Sequence, residues 1–239
     1  MKSMKYFICT AFAISCHAAM AANVAIDNAS NAPYGDGWQT GDNGGSGFGA
    51  WTLNATGNGG TYIGATGQAN PSFGLFSGPS GTATASRLFT GGALGVGQTF
   101  SINLGHTTNI ATGNDIGLLL TDGGSTVFTL KFVGGDTAWK LNDGGSDFGS
   151  GQLYDDNASI AFSFTYEGSN KYSYTFGTGS GTSFTATNDI SGIDGFTLFN
   201  NNQGNGENLG ANNMAIVPEP SAALLGAFGA LALLRRRRI

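Results

Sequence analysis

The chain has 239 residues, 41 of them glycine, with 10% charged residues and a formal net charge of −5. It is long enough for one well-cored domain, and its aromatic and β-branched residues recur in short runs between the glycines. The glycines keep no strict period, which excludes collagen, and the recurring aromatic and β-branched runs exclude disorder.

Lys2 and Lys5 precede an apolar segment, Tyr6 to Ile14, and Ala19-Met20-Ala21 supplies small residues at the −3 and −1 positions of a signal-peptidase site. Residues 1–21 are therefore expected to be a signal peptide, cut after Ala21. The weaker alternative is lipidation at Cys16, because Ala13 stands where a lipobox wants a large aliphatic residue. Cys9 and Cys16 are the only cysteines, and both leave with the signal, so the body has neither disulfide nor Cys-ligated metal. Between Ala22 and Val217 remain Arg87, Lys131, Lys140 and Lys171 against fourteen acids, a net charge of −10. Such a body repels nucleic acid and anionic lipid and attracts cations.

Within residues 22–216 no glycine-free window of a dozen residues carries a helical apolar stripe, whereas strand signals are frequent. In chain order they fall at Trp51 to Leu53, Tyr62-Ile63, Phe73 to Phe76, Ala83 to Phe89, Gln98 to Leu104, Ile116 to Leu120 and Thr126 to Val133. Trp139 to Leu141, Ala158 to Tyr166, Lys171 to Phe176, Phe196 to Phe199 and Met214 to Val217 follow. Glu167-Gly168-Ser169-Asn170 turns one of these runs into the next as a hairpin. Thr126 to Val133 has large residues on both faces, as a central strand does. Short strands about ten residues apart, with Gly, Asn and Asp between them, predict an all-β fold: an antiparallel β-sandwich of the concanavalin-like jelly-roll kind.

Three kinds of chemistry are open to this body. Trp38, Trp139 and Tyr154 are candidates for stacking on sugar rings, while Trp51, at strand spacing from Leu53, is assigned to the core. The oxygen-rich stretch Asn142 to Asp147, followed by Asp155-Asp156-Asn157, makes Asp143, Asp147, Asp155 and Asp156 candidate calcium ligands. Asp36, Asp42 and Asn43 form a second such cluster; Asp, Asn and Gly are also ordinary turn formers. Hydrolysis is poorly served. His106 is the body's single histidine, with Asp115 as a possible orienter, and no Gly-x-Ser-x-Gly turn accompanies it. Glu167 and Glu207 both fall in expected turns, and adjacent Asp155 and Asp156 would point to opposite faces of a strand. No enzyme is expected. An ice-binding surface is not expected either, since the threonines are scattered along the sequence.

The C-terminal stretch, residues 217–239, has three parts in order. Pro218-Glu219-Pro220 resists helix, Ala222 to Leu234 is free of charge, and Arg235-Arg236-Arg237-Arg238 follows. An apolar segment ending in clustered arginine reads as a membrane helix with its basic end in the cytoplasm. Its thirteen residues span only about 20 Å against a hydrocarbon core of about 30 Å, so the anchor is short. These parts together resemble the PEP-CTERM sorting signal of Gram-negative bacteria, also known as the C-terminal domain of ice-binding proteins. The resemblance implies export, transient residence in the inner membrane, processing by an exosortase, and a destination at the cell surface or in exopolysaccharide. Tyr34-Gly35-Asp36-Gly37-Trp38, Phe73-Gly74-Leu75-Phe76, Gly97-Gln98-Thr99-Phe100-Ser101 and Phe196-Thr197-Leu198-Phe199-Asn200 also resemble the bodies of PEP-CTERM proteins with lectin-like sandwiches. The leading expectation is a non-enzymatic envelope or matrix protein. The alternative is a lectin-like module that binds polysaccharide at the cell surface, with calcium assistance. A glycoside hydrolase ranks third.

Overall fold

The computed structural model describes residues 24–66, 70–106, 110–155, 159–201 and 207–218. Their fifteen strands form two antiparallel sheets facing each other. One sheet runs in space through β13 (Gly179–Thr185), β12 (Lys171–Phe176), β11 (Ile160–Gly168), β6 (Thr99–His106), β15 (Asn208–Val217), β4 (Ser72–Ser77) and β3 (Gly59–Gly64), with β1 (Ala25–Asp27) also paired to β15. The other runs through β10 (Phe148–Leu153), β9 (Ala138–Asn142), β8 (Ser125–Val133), β7 (Asp115–Asp122), β14 (Gly195–Asn201), β5 (Thr82–Leu88) and β2 (Thr52–Thr56). This is the expected jelly-roll sandwich. Among the described residues no helix is long and apolar enough to cross a membrane, and the expected apolar helix at 222–234 lies outside them.

Alternation builds the core. Phe100, Ile102 and Leu104 of β6 and Phe162 and Phe164 of β11 are buried, while Ser101 and Ser163 between them face outward. Aromatic residues fill the space between the sheets. Toward one end Trp51 and Phe73 meet at 5.2 Å between ring centroids, and Phe100 meets Phe196 at 5.1 Å. Toward the other, Phe128 packs against Phe164 and Trp139 against Phe176, both at 5.1 Å. These edge-on and tilted contacts suit the quadrupoles of the rings.

Three strands lack the sequence signal that marks the others. β1 is three residues long. β10 carries Gly149 and Gly151 where a strand would carry side chains, and β13 is almost wholly polar. β13 closes the sheet as an edge strand, where one face needs no apolar residue.

The short first strand is held by a buried ion pair. The Asp27 carboxylate accepts hydrogen bonds from the Arg87 guanidinium and the Tyr34 hydroxyl, from Asn28 N–H at 2.8 Å and from Asn31 Nδ2 at 2.6 Å. Arg87 also donates to the Gly49 carbonyl at 2.7 Å and to Asn43 Oδ1 at 2.5 Å. Its guanidinium carbon lies 4.8 Å from the Trp51 ring centroid and 5.2 Å from that of Phe48. Both charged side chains are fully buried, so this network is satisfied on every side rather than by one contact. Burial, and then the hydrogen bond to Asp27, push the Tyr34 hydroxyl up to about 12.

β15 is the axis of its sheet. One side pairs with β6; the other pairs with β4 through Asn208–Ala211 and then with β1 through Met214–Ile216. The change of partner falls at a bulge, where Asn213 takes φ of 51°. There the buried Asn212 side chain accepts from Ala29 N–H at 3.0 Å and donates to the Pro71 carbonyl at 2.9 Å, tying both partners to the bulge.

Candidate functional site

The aromatic residues singled out in the sequence do not form a sugar platform. Trp38 and Trp139 are 6% and 0% exposed. Trp38 packs edge-on against Trp51 at 4.8 Å, and Trp139 points inward from β9. Their exposure, expected from flanking polar residues, is corrected: in both cases only the neighbours face solvent. Tyr154 is half-buried and stacks on His106 at 4.6 Å and Phe132 at 4.1 Å, so its ring is engaged within the protein.

Nor do the acidic candidates converge. The Asp143 carboxylate accepts from the buried Tyr172 hydroxyl at 2.8 Å, and burial followed by this bond raises the Tyr172 pKa. Asp147 accepts from Asn142 Nδ2 at 2.9 Å and pairs with Lys131 at 2.9 Å. Partial burial opposes the charge on Asp147, but the Asn142 and Lys131 bonds outweigh it and hold the carboxyl below its ordinary value. Asn142 closes the same loop on itself, donating to the Gly145 carbonyl at 3.0 Å and accepting from Gly144 N–H at 2.9 Å. An ammonium and a phenol thus stand where a cation would sit. Asp155 is exposed and Asp156 lies outside the described residues. Among the described residues no three His, Cys, Asp or Glu side chains gather as a metal site. In the second cluster, Asp42 caps Gln39 N–H at 2.7 Å and Asn43 serves Arg87. His106 and Asp115 belong to strands of different sheets, and Asp115 accepts from Asn201 at 2.9 Å. Glu167, at the end of β11 rather than in a turn, accepts from Ser183 at 2.9 Å.

An accessible aromatic pair lies elsewhere, on the outer face of β3 and β4. Phe73 and Leu75 point into the core, so Gly74 and Phe76 point out. The register sets Tyr62 opposite Gly74 and Phe76 opposite Gly60. Each ring lies across the glycine facing it: a Cβ on Gly74 would collide with the Tyr62 ring, and one on Gly60 with the Phe76 ring. The two rings are 6.1 Å apart, Phe76 is 40% exposed, and the Tyr62 hydroxyl shares a 2.8 Å hydrogen bond with Thr66. Two rings backed by bare peptide, inclined at 45° to each other and anchored through the buried Thr66, make a platform for an amphipathic ring. The sequence did carry a trace of it, as aromatic and glycine alternate in both Gly60-Thr61-Tyr62-Ile63-Gly64 and Phe73-Gly74-Leu75-Phe76. Only the register reveals that each aromatic faces a glycine.

Of the sorting motif, Pro218 is described and follows β15 directly; Glu219, Pro220 and Arg235 to Arg238 lie outside the described residues, as do Ala19 and Ala21 of the signal-cleavage site.

No family model and no curated protein matches the chain. Solved structures do resemble it in fold. A sialidase aligns with a TM-score of 0.57 at 8% identity over 71% of this chain, and the chain spans only 17% of that protein's length. The cellulose-induced protein Cip1 aligns at 0.53 with 11% identity, over 77% of this chain and 95% of its own. A structure from work on endo-acting O-glycanases, with which prominent members of the human gut microbiota initiate mucin breakdown, aligns at 0.54 with 7% identity, covering 81% and 98%. At such identities the likeness is one of architecture: the chain has the antiparallel β-sandwich fold that these carbohydrate-related proteins share.

Proposed function

We propose that this chain is an exported, non-enzymatic surface protein whose β-sandwich binds polysaccharide. The observation that carries the binding reading is the Tyr62–Phe76 platform. The face of an aromatic ring is electron-rich and attracts the polarised C–H groups on the face of a pyranose. Backing by glycine seats each ring against the sheet, and the buried Thr66 hydroxyl holds that of Tyr62 in place. The fold of the sialidase, of Cip1 and of the O-glycanase-related structure gives the reading its context.

Export and sorting rest on the signal peptide at 1–21 and the three-part motif of residues 217–239. The tail follows Val217, while Phe76 pairs with Asn208 at the other end of β15. That separates tail and platform by about 30 Å of strand, a distance that lets a tethered domain hold its platform away from the membrane.

The test of binding is a glycan array followed by titration. Tyr62→Ala with Phe76→Ala removes two stacking contacts, each worth about 0.5–1.5 kcal/mol, and affinity should fall about fivefold to a hundredfold. Unchanged affinity in a folded double variant would sink the platform reading. Intact mass of membrane and released fractions tests the sorting: loss of both ends supports it, and a retained full-length tail refutes exosortase processing.

A further inference from the structure

The opposite sheet carries a second concavity that the platform does not use. It is a depression of about 330 Å3 on the outer face of β2, β5, β14 and β7. Ala83, Ala85 and Arg87 of β5 point inward, which turns Ser86 and Leu88 out; Phe196 and Leu198 of β14 do the same for Thr197. The register lines up Thr52, Ser86 and Thr197 in one row across three strands, with Thr121 of β7 on the adjoining row. Four hydroxyls therefore border the depression, and Leu88, 61% exposed, supplies an apolar wall. Arg87 contributes no charge to it, because its guanidinium is committed inward to Asp27. The half-buried Asp194 carboxylate nearby accepts from the Thr121 hydroxyl at 3.3 Å and from Gly123 N–H at 2.9 Å. Hydroxyls beside one aliphatic wall, with the inward-turned Arg87 as the one charged residue of the lining, match a neutral saccharide better than an anion, a cation or a peptide terminus.

We infer that this depression is a second saccharide site and that the protein is bivalent, cross-linking neutral polysaccharide chains. This rests on the carbohydrate-binding reading above. β2 and β3 are consecutive strands that cross from one sheet to the other, so the depression and the platform lie on outer faces turned away from each other. The two faces are too widely divergent to engage the same short saccharide. A two-faced module of this kind joins separate chains, and a matrix component needs that property where a simple coat protein does not.

The test uses the full chain and a panel of neutral hexasaccharides (cello-, xylo-, malto- and mannohexaose), with calorimetry to count sites and light scattering to follow growth of high-mass neutral polysaccharides. Thr52→Trp, at an exposed position, and independently Thr197→Trp fill the depression; thermal unfolding checks that each folds. The expected result is two equivalents bound by the parent chain and one by either filled variant. One equivalent is likewise expected for Tyr62→Ala/Phe76→Ala, and polymer growth for the parent alone. A single equivalent in the parent, lost in the platform variant and unaffected by Thr52→Trp, would overturn the second site while leaving the platform standing. Absence of binding to every saccharide in every form would overturn both readings.

Discussion

Replacing Asp27 by Asn keeps the side chain's size and removes its charge. Arg87, fully buried, would then have no counter-ion, and one acceptor position would become an amide donor facing the guanidinium, Tyr34 or Asn31. Breaking a buried pair by neutralising one partner costs about 3–5 kcal/mol, because the remaining charge stays desolvated. With a urea m-value of about 2 kcal/mol/M, the unfolding midpoint should fall by about 1.5–2.5 M. Tryptophan fluorescence reports it well, since Trp51 donates to the Tyr34 hydroxyl at 3.2 Å and lies under Arg87. Asp27→Leu combined with Arg87→Met should cost less than either single change, because the apolar pair leaves no stranded charge. A midpoint shift below about 0.5 M for Asp27→Asn, or strictly additive losses in the cycle, would show that the network is solvated in solution and that the energetic argument is wrong.

Alkaline pH should weaken the same region. The Tyr34 hydroxyl is raised to about 12 in the fold and ionises near 10 when unfolded, so its contribution is complete below about pH 10 and disappears as pH approaches about 12. Urea midpoints between pH 9 and 12 should decline less steeply in Tyr34→Phe than in the parent. Gly74→Ala should push the Tyr62 ring off its seat and lower saccharide affinity, measured by titration, with a change in melting temperature of only a few degrees. Asn212→Ala should cost about 1–3 kcal/mol in urea unfolding, because Ala29 N–H and the Pro71 carbonyl lose their shared partner. Calcium or a chelator should leave the melting temperature unchanged, since Lys131 and Tyr172 already occupy Asp147 and Asp143.

Most of the fold is legible from alternation. Lys171–Phe176 has the bounds its pattern implies, β8 and β14 extend theirs slightly, and β6 and β11 lie a residue or two further along the chain than theirs. β1, β10 and β13 are not legible, because their pairing is dictated by neighbours rather than by their own apolar content. The candidate site was less visible than the fold. Polar flanks made Trp38 and Trp139 look accessible; in strand β9 the neighbours of the inward Trp139 are outward by geometry, and Trp38, in the loop before β2, turns in to pack on Trp51 and Phe73. In the sequence Tyr62 and Phe76 are parts of strand signals alone, and the register is what pairs each with a glycine. The buried ion pair joins positions 60 residues apart, and nothing local in the sequence marks Arg87 as the one cation turned inward among the described residues.

The seating of β15 bears on how the domain carries load. Hydrogen bonds in a sheet run across the strands, so tension along β15 from Val217 acts on them in shear and asks many rungs to slip together. An edge strand pulled sideways would instead unzip rung by rung. A polymer held at the β3–β4 platform and a tether at Pro218 would pull on opposite ends of this one strand, clamped by β6 on one side and by β4 and β1 on the other. On the proposed reading, the domain would be strung like a link in a chain, with its strongest direction along the line between those two attachments.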